Sequence, residues 1–439
     1  MPYTGKKIRI LNFSEGANHM SIPTPLPRVA AFEKLGLGMF VHWGLYSQLE
    51  KGEWAMNANH LDGKDYEKLQ MSFTAEDFNA KELARIAKNA GMKYITLTTR
   101  HHEGFSLYDT CGLNTYDAPH SPAGRDLVRE FVDGCRAEGI VPFFYHTTLD
   151  WHWHGKKTQD LDLQEFDEYL DYLYRSVEIL CSNYGQIGGL WFDGNWSRRD
   201  SDWKEDRLYK MIHRMQPNAM IINNTGLCAL GKTGNEEIDS VTFENNPAHP
   251  VSREGMKKYV AAEVCKTMNS HWGRSMLDFN YLSPKKLIEW ICQSRGSGAN
   301  LLLNIGPLAQ GGIPAYEKAV LELAGKWMSL FGEAIYNGKP LTGMKYQGRD
   351  FMLHDKSVFY YVAFDIPMGG DSNVVAGTLG FGPRCVSGFG QKIISAKWMD
   401  NGEEAVFMQD PEKKLLTIEC SPYPYGTDLV VRILRLETR

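Results

Sequence analysis

The sequence predicts an α/β fold, a (β/α)8 barrel of the TIM type, followed by a smaller antiparallel β-sandwich domain. Short apolar runs recur along the first three hundred residues, and most are followed by a helix-like stretch. Strands that alternate with helices are typical of a parallel sheet, and eight such strands close into a barrel. The runs are residues 37–44, 93–100, 140–147, 187–194, 219–224, 239–245, 259–267 and 298–306.

Amphipathic helix patterns lie between several of these runs, as at residues 80–90 and 126–138. Two crossovers do not fit the pattern. Residues 225–238 are rich in glycine, and residues 246–258 contain Pro247 and Pro250. Because glycine and proline both disfavour helix interiors, we expect the barrel to lack regular helices at these two places.

The composition changes after a helix-like segment at residues 314–335. Short alternating stretches follow, separated by Gly, Pro, Asn and Asp, which is typical of antiparallel strands. We therefore predict a catalytic barrel over residues 1–340 and a β-sandwich over residues 341–439. The expected strands include residues 357–364, 392–398, 415–420 and 428–434.

Charge and composition exclude several classes of function. The formal net charge is −5 with the basic residues scattered, which argues against a nucleic-acid partner. No apolar stretch reaches the roughly 20 residues that span a bilayer, so we expect a soluble, cytoplasmic protein without membrane contact. The eight cysteines lie far apart with no CxxC pair, which suits reduced, buried thiols. The sequence leaves the oligomeric state open, and exposed aromatic residues in the β domain would support a homo-oligomer.

Polar residues close most of the apolar runs, which is where a (β/α)8 barrel carries its active site. Asp193 is the strongest catalytic candidate, because it ends the run GLWFDG and Gly194 permits a sharp exit turn. Carboxylates are the groups that cleave glycosidic bonds. The polar strand ends are His42, His101, His102, Tyr145, His146, Asp193, Asn223, Asn224, Glu244, Glu263 and Asn304.

Two glutamates compete for the role of acid/base. Glu244 closes the sixth run, whereas Glu263 lies in the middle of the seventh. A mid-strand side chain points into the barrel, where it orients its neighbours by hydrogen bonds. We therefore favour Glu244 and keep Glu263 as the alternative.

The histidines raise the alternative of a metal-dependent hydrolase, since His101-His102 and the pair His152 and His154 are of ligand type. Adjacent residues on a strand point to opposite faces, which weakens the first pair as joint ligands. No Walker sequence or G-x-G-x-x-G follows a strand. We predict neither a metal nor a cofactor.

Seven ordered segments of the chain resemble the α-L-fucosidases of glycoside hydrolase family 29. Each is weak alone, but as an ordered set they are specific and span most of residues 37–340. They are LGMFVHWG at 37–44, GEW at 52–54, TRHHEGF at 99–105, YHTTLDW at 145–151, LWFDG at 190–194, EVCKTMNSHWG at 263–273 and NLLLNIGP at 300–307.

The resemblance implies a retaining, exo-acting hydrolase of terminal α-L-fucose, with a fucosylated glycan or glycoside as its partner. Asp193 matches the family nucleophile, and Trp272 is expected near the methyl group of the sugar. A 6-deoxy sugar needs hydrogen-bonding groups for its hydroxyls and an aromatic wall for its methyl. The remaining pocket residues implied are His42, Glu53, Trp54, His101, His102, Tyr145 and Trp191.

One departure from the family concerns the fifth run. Many members carry Asn-Asp-Arg at its end, where this chain has Asn223, Asn224 and Thr225, so the arginine is missing. The departure leaves room for a barrel glycosidase that acts on another deoxy or galacto-configured sugar. A second alternative is a sugar-binding protein that has lost turnover, which the retention of Asp193 and a suitable glutamate argues against.

Overall fold

The structure is a computed structural model that describes residues 21–225, 231–370 and 382–439. The predicted barrel is confirmed: the eight apolar runs form eight parallel strands that pair in chain order, and the last strand closes on the first. The strands are β1 (Leu37–Val41), β2 (Tyr94–Arg100), β3 (Val141–Thr147), β4 (Gly189–Asp193), β5 (Met220–Asn223), β6 (Ser240–Glu244), β7 (Ala261–Lys266) and β8 (Asn300–Ile305).

The helices that cover the barrel begin at residues suited to capping. Asn79 and Asp126 accept hydrogen bonds from the backbone of the first helical turn, and Asp162 forms a capping box with Glu165. The helices are α1 (Pro27–Glu33), α2 (Ala55–Ala58), α3 (Gly63–Glu67), α4 (Ala80–Asn89), α5 (Leu127–Glu138), α6 (Leu163–Asn183), α7 (Glu205–Met215), α8 (Pro284–Gly296) and α9 (Ala315–Asn337).

The two irregular crossovers behave as the glycines and prolines indicate. No α-helix forms between β6 and β7, and the described residues between β5 and β6 form none either. Residues 226–230 of the glycine-rich stretch lie outside the described part of the chain.

Two antiparallel sheets follow the barrel and pack face to face as a sandwich. One sheet has the order β13-β16-β11-β10-β9 and the other β12-β15-β14. Their shared core includes Tyr361, Trp398 and Ile418. The strands are β9 (Lys339–Pro340), β10 (Phe351–Asp355), β11 (Val358–Phe364), β12 (Gly382–Ser387), β13 (Ile393–Trp398), β14 (Phe407–Asp410), β15 (Leu415–Cys420) and β16 (Val431–Thr438).

The sandwich is joined to the barrel by a continuous apolar core. Val362 and Ile433, on the outer face of the larger sheet, belong to the same buried cluster as the barrel residues. Trp327 of α9 also donates its indole N–H to the carbonyl of Val431 at 3.0 Å. Burial of this face gives the sandwich a fixed position against α9.

Two expectations from the sequence need correction. The strand expected at residues 428–434 is β16, which begins later because Asp428 accepts a hydrogen bond from the backbone of Val430 and holds a turn there. Among the cysteines, Cys111 and Cys385 are exposed rather than buried, although all those described are free thiols; Cys228 lies outside the described residues. None of the described helices is long and apolar enough to cross a membrane.

Candidate active site

Asp193 lies at the C-terminal end of β4 and points into the mouth of the barrel. One carboxylate oxygen accepts from the indole of Trp196 at 3.0 Å, and the other from the Tyr145 hydroxyl at 3.2 Å. His102 Nε2 lies 3.4 Å from the second oxygen. Burial acts to raise the pKa of Asp193, but these three groups outweigh it and lower that pKa below its usual value. Asp193 is thus held ionised.

Gly194 allows the chain to leave β4 sharply after this carboxylate. Its φ is +121°, and a side chain here would come within 2.8 Å of the Leu149 backbone nitrogen. Only glycine fits both conditions, as the sequence indicated.

Glu244 ends β6 and faces Asp193 across one amide group. Asn224 donates to Glu244 Oε2 at 2.6 Å, and the same nitrogen lies 3.5 Å from Asp193 Oδ1. Burial, followed by the negative charge of Asp193, raises the pKa of Glu244 to about 7, against the opposing hydrogen bonds from Asn224 and Trp272. The two acids therefore differ in protonation near neutral pH, with Asp193 ionised and Glu244 able to carry a proton.

Glu263 lies deeper, in the interior of the barrel, with no exposed surface. Its two oxygens accept from the Tyr94 hydroxyl at 2.5 Å and from the Trp191 indole at 2.8 Å. Burial raises its pKa to about 7. Both oxygens accept hydrogen bonds from aromatic side chains. Glu263 therefore orients its neighbours, as expected for a mid-strand position.

Three histidine rings form one wall of the mouth. His101 lies 4.1 Å from His102 and 5.6 Å from His42, measured between ring centroids. His42 Nδ1 is bonded to Asn304 at 2.7 Å, and His102 Nδ1 to Thr147 at 2.7 Å. Burial lowers the pKa of His42 to about 3. That of His101 is lowered as well, first by burial and then by the two neighbouring rings.

Glu53 and Trp272 are joined through the backbone. Glu53 Oε2 accepts from the amide nitrogens of Trp272 at 2.9 Å and Gly273 at 2.7 Å. Burial raises the pKa of Glu53 against these bonds. The Trp272 ring in turn lies 5.0 Å from that of His42. Glu53 therefore fixes the loop that carries Trp272.

Trp54 and two further tryptophans form a rim at the opening. Trp54 is stacked against Trp196 at 5.7 Å and meets Trp151 edge-on at 5.0 Å. Trp54 is 36% exposed, so one face is free for a ligand. Flat, partly exposed rings of this kind bind the apolar faces of sugars.

The chain is similar in sequence to proteins of one family over most of its length. The sequence model of the α-L-fucosidase family matches residues 19–333. The tissue α-L-fucosidase of Rattus norvegicus is 29% identical over 351 residues, 72% of this chain and 71% of the relative. A putative α-L-fucosidase of Caenorhabditis elegans is 26% identical over 341 residues, 72% of this chain and 68% of the relative.

This chain belongs to the α-L-fucosidase family. It is therefore a glycoside hydrolase. Among solved structures, α-L-fucosidase isoenzyme 1 from Paenibacillus thiaminolyticus is 30% identical with a TM-score of 0.78, and the match covers 94% of this chain and 99% of that one. A family 29 fucosidase from Bacteroides thetaiotaomicron, trapped as a covalent intermediate with 2-fluoro-fucosyl fluoride, has a TM-score of 0.80 at 22% identity, covering 95% and 98% of the two chains.

Most of the residues that the fucosidase resemblance singled out surround Asp193. His42, His101, His102, Tyr145, Trp54 and Trp272 line or border the mouth. Trp191 is placed differently. It is 2% exposed, stacks under Tyr145 at 5.7 Å and bonds Glu263. It supports the floor of the pocket through Tyr145.

Sequence reasoning missed two groups in contact with the carboxylates. Trp196 donates directly to Asp193, and Asn224 bridges Asp193 and Glu244. Asn224 was visible as a polar strand end, but its bridging role was not. Trp196 follows Asp193 by three residues in a short helical turn, and that spacing was the available signal.

The described residues contain no group of three or more His, Cys, Asp or Glu side chains placed to hold a metal ion. His101 and His102 do lie side by side, but the latter is bonded to Thr147 and Asp193 rather than free to join a ligand set. Independence from metal stays a prediction, and the response to a chelator tests it.

Proposed function

We propose that this fucosidase is a retaining, exo-acting enzyme that removes terminal α-L-fucose from glycans or glycosides through a covalent fucosyl-enzyme on Asp193. The observation that carries the proposal is the pair of carboxyl groups that face each other across the Asn224 amide at the mouth of the barrel. Their surroundings lower the pKa of Asp193 and raise that of Glu244. An ionised nucleophile beside a protonated acid is what the first step of such a reaction requires.

The spacing of the two groups also favours retention. Because a single amide nitrogen of Asn224 contacts both, Asp193 Oδ1 and Glu244 Oε2 lie closer together than the roughly 6.5–9.5 Å typical of inverting enzymes. Inverting enzymes need that larger gap to admit a water molecule between base and sugar. The covalent intermediate trapped in the Bacteroides thetaiotaomicron fucosidase agrees with this proposal.

In the first step, Asp193 attacks the anomeric carbon while the Glu244 proton passes to the departing glycosidic oxygen. The carbon–oxygen bond to the leaving group breaks, and the ester bond to Asp193 forms. Loss of the Asp193 charge lowers the pKa of Glu244, since that charge is the second largest cause of its elevation. Glu244 then takes a proton from water, which attacks the ester and releases fucose.

The walls of the mouth suit a 6-deoxy sugar. His42 and His101 offer ring nitrogens for hydroxyl groups on one side, with the ring of His102 beside them. Trp272 and the rim tryptophan Trp54 offer apolar surfaces on the others. We assign the hydroxyls of fucose to the histidine wall and its methyl group to the side of Trp272.

Purified protein assayed on p-nitrophenyl α-L-fucoside, beside a panel of other aryl glycosides and with and without a chelator, tests the proposal. Release from the fucoside alone, unaffected by the chelator, is the expected result. Preference for another deoxy or galacto-configured glycoside would contradict the substrate assignment. Loss of activity on chelation would contradict the metal-free mechanism. The absence of hydrolysis of every substrate would favour a sugar-binding protein.

Three further properties stay predictions. They are the division of the chain at residue 340, the cytoplasmic location and the formation of a homo-oligomer. Sedimentation velocity of the purified protein measures the last of these directly.

A further inference from the structure

One buried carboxyl group behind the histidine wall has no part in the chemistry described above. Glu103 is 1% exposed, and neither of its oxygens has a hydrogen-bond partner of good geometry among the described residues. The backbone N–H groups of Leu45 and of Glu103 itself are the donors that act against the rise in its pKa. Space for it is provided by Gly44, where a side chain would come within 2.7 Å of Glu103 Oε1. A buried carboxyl without a side-chain partner is costly, so its presence calls for a reason.

The closest titratable atom of the pocket wall is equally unpartnered. Nδ1 of His101 lies 3.5 Å from Glu103 Oε2 and makes no hydrogen bond within the described part of the chain. A small rotation of either side chain would join the two. Each group can then satisfy the other, which removes two penalties at once.

We propose that Glu103 is a positioning residue: its carboxyl group, in the neutral form, donates a hydrogen bond to His101 Nδ1 and so fixes the proton of that imidazole on Nε2. The proposal rests on the proposed function for its link to the substrate. Nε2 makes no hydrogen bond to the described protein groups, so it is available to donate to a sugar hydroxyl.

The surroundings favour neutral forms for both partners. His101 is enclosed by His42, His102 and the ring of Tyr145, which stacks on it at 5.6 Å. Burial and the two neighbouring imidazoles lower the pKa of His101, which favours the neutral ring. Burial raises the pKa of Glu103 to about 8, in agreement with a protonated carboxyl near neutral pH. A neutral imidazole has two tautomers, and its nitrogens exchange donor and acceptor roles between them.

The tautomer matters because a sugar hydroxyl must find a partner of the correct type. With the proton on Nε2, His101 donates to the substrate; with the proton on Nδ1, it can only accept. Neighbouring His102 is fixed independently, through Thr147 at 2.7 Å. The two histidines of the wall are therefore held by different groups, one by a hydroxyl and one by a buried acid.

The test uses the full chain labelled with ¹⁵N-histidine, in wild type, Glu103→Leu and Glu103→Gln, with the His101 signals assigned by their loss in His101→Asn. Glutamine resembles the neutral acid in shape and can donate to Nδ1, whereas leucine cannot bond. In wild type and Glu103→Gln we expect an unprotonated Nδ1 and a protonated Nε2 on His101. In Glu103→Leu we expect its two signals to shift toward a mixture of tautomers, with those of His102 unchanged.

Activity supplies the second readout. On p-nitrophenyl α-L-fucoside, Glu103→Leu should lower kcat/KM roughly ten- to hundred-fold, and Glu103→Gln should keep it within about threefold, the behaviour of groups that orient an active-site ligand. Glu317→Gln and Glu317→Leu are matched controls. Glu317 is also a buried glutamate whose pKa burial raises to about 8, but it bonds a backbone N–H, that of Gly306 at 3.1 Å.

A protonated Nδ1 on His101 in the wild type would overturn the proposal, even if Glu103→Leu does not fold. So would wild-type His101 signals in a folded Glu103→Leu protein. Equal losses of activity in the Glu103→Leu and Glu317→Leu proteins would also overturn it, because removal of any buried carboxyl would then account for the loss. A wild type with the expected tautomer but no hydrolysis of the fucoside would leave the positioning role intact and overturn only the proposed function.

Discussion

A half-buried aspartate at the mouth of the barrel and a buried one in the β-sandwich are held in opposite ways. Asp350, between the sheets, receives Arg384 Nη1 at 2.7 and 2.9 Å, the Tyr361 hydroxyl and the Phe364 amide. Asp193 receives an indole, a phenol and an imidazole, and no arginine or lysine of the described chain contacts it.

The difference in their donors reflects different roles: the charge of Asp350 is structural, whereas that of Asp193 is consumed in the proposed reaction. A guanidinium stabilises a buried carboxylate strongly, and breaking such a pair leaves an uncompensated charge. Asp193 must lose its charge when it bonds to the sugar, so a fixed cation beside it would oppose the reaction. Neutral donors such as Trp196 and Tyr145 keep Asp193 ionised, and they oppose the loss of its charge during the attack on the sugar less than a cation would.

Removal of the Asp193 carboxylate should have the largest effect on activity. We expect Asp193→Ala to reduce hydrolysis of aryl fucosides by at least about 10⁴-fold, because no other carboxylate of the mouth can form the fucosyl-enzyme. Azide should partly restore turnover in Asp193→Gly, giving fucosyl azide, since it fills the vacated space. Thermal unfolding should be little changed. Full activity in the Asp193→Ala protein would refute the assignment.

Removal of the Asp350 carboxylate in the sandwich should reduce stability and leave activity unchanged. Asp350→Ala leaves Arg384 buried beside an empty site, and we expect it to lower the free energy of unfolding by about 3–5 kcal/mol. Urea unfolding measures the loss. kcat on an aryl fucoside, per folded molecule, should match the wild type; a parallel loss of kcat would show that the sandwich shapes the active site.

Glu244 offers a subtler test of the barrel mouth. For Glu244→Ala we expect losses of roughly 10²–10³-fold on fucosides with poor leaving groups and smaller ones on aryl fucosides, because only poor leaving groups need the proton. Rates across a series of leaving groups check this. Equal losses on both kinds of substrate would instead support Glu263 as the acid.

Glu263 is a third acid to compare with Asp193 and Asp350. Its donors are neutral, like those of Asp193, but it takes no part in the proposed mechanism. Its pKa is raised to about 7 in the folded chain, so the folded state loses stability as pH rises from the unfolded value near 4.5 through 7. Glu263→Gln mimics the neutral acid. We expect it to be about 1–3 kcal/mol more stable than wild type at pH 8 and equal at pH 4.5, by urea unfolding.

The pH profile of kcat/KM should report the two mouth acids. Because Glu244 must be protonated in the first step, activity should fall about tenfold per pH unit above pH 7. Asp193 must be ionised, and its lowered pKa places the acidic limb below the pH range in which an ordinary aspartate titrates. An alkaline limb that persists in Glu244→Gln would assign it to another group.

Much of the fold was readable from local patterns. Buried parallel strands are apolar along their whole length, so all eight were visible as runs, and the polar residues that end them, such as Asp193 and Glu244, marked the mouth. The start of β16 was misplaced because an Asp turn, not hydrophobicity, decides where that strand begins.

The sequence by itself determined the barrel, the sandwich, the family and the acids at the strand ends, because strand periodicity and ordered motifs are local properties of the chain. Only the tertiary structure decided what those acids touch. Trp196 bonding Asp193, Asn224 joining Asp193 to Glu244, and Glu103 meeting His101 all depend on the directions of side chains after the strands close. Their pKa values depend on burial, which only the closed barrel provides.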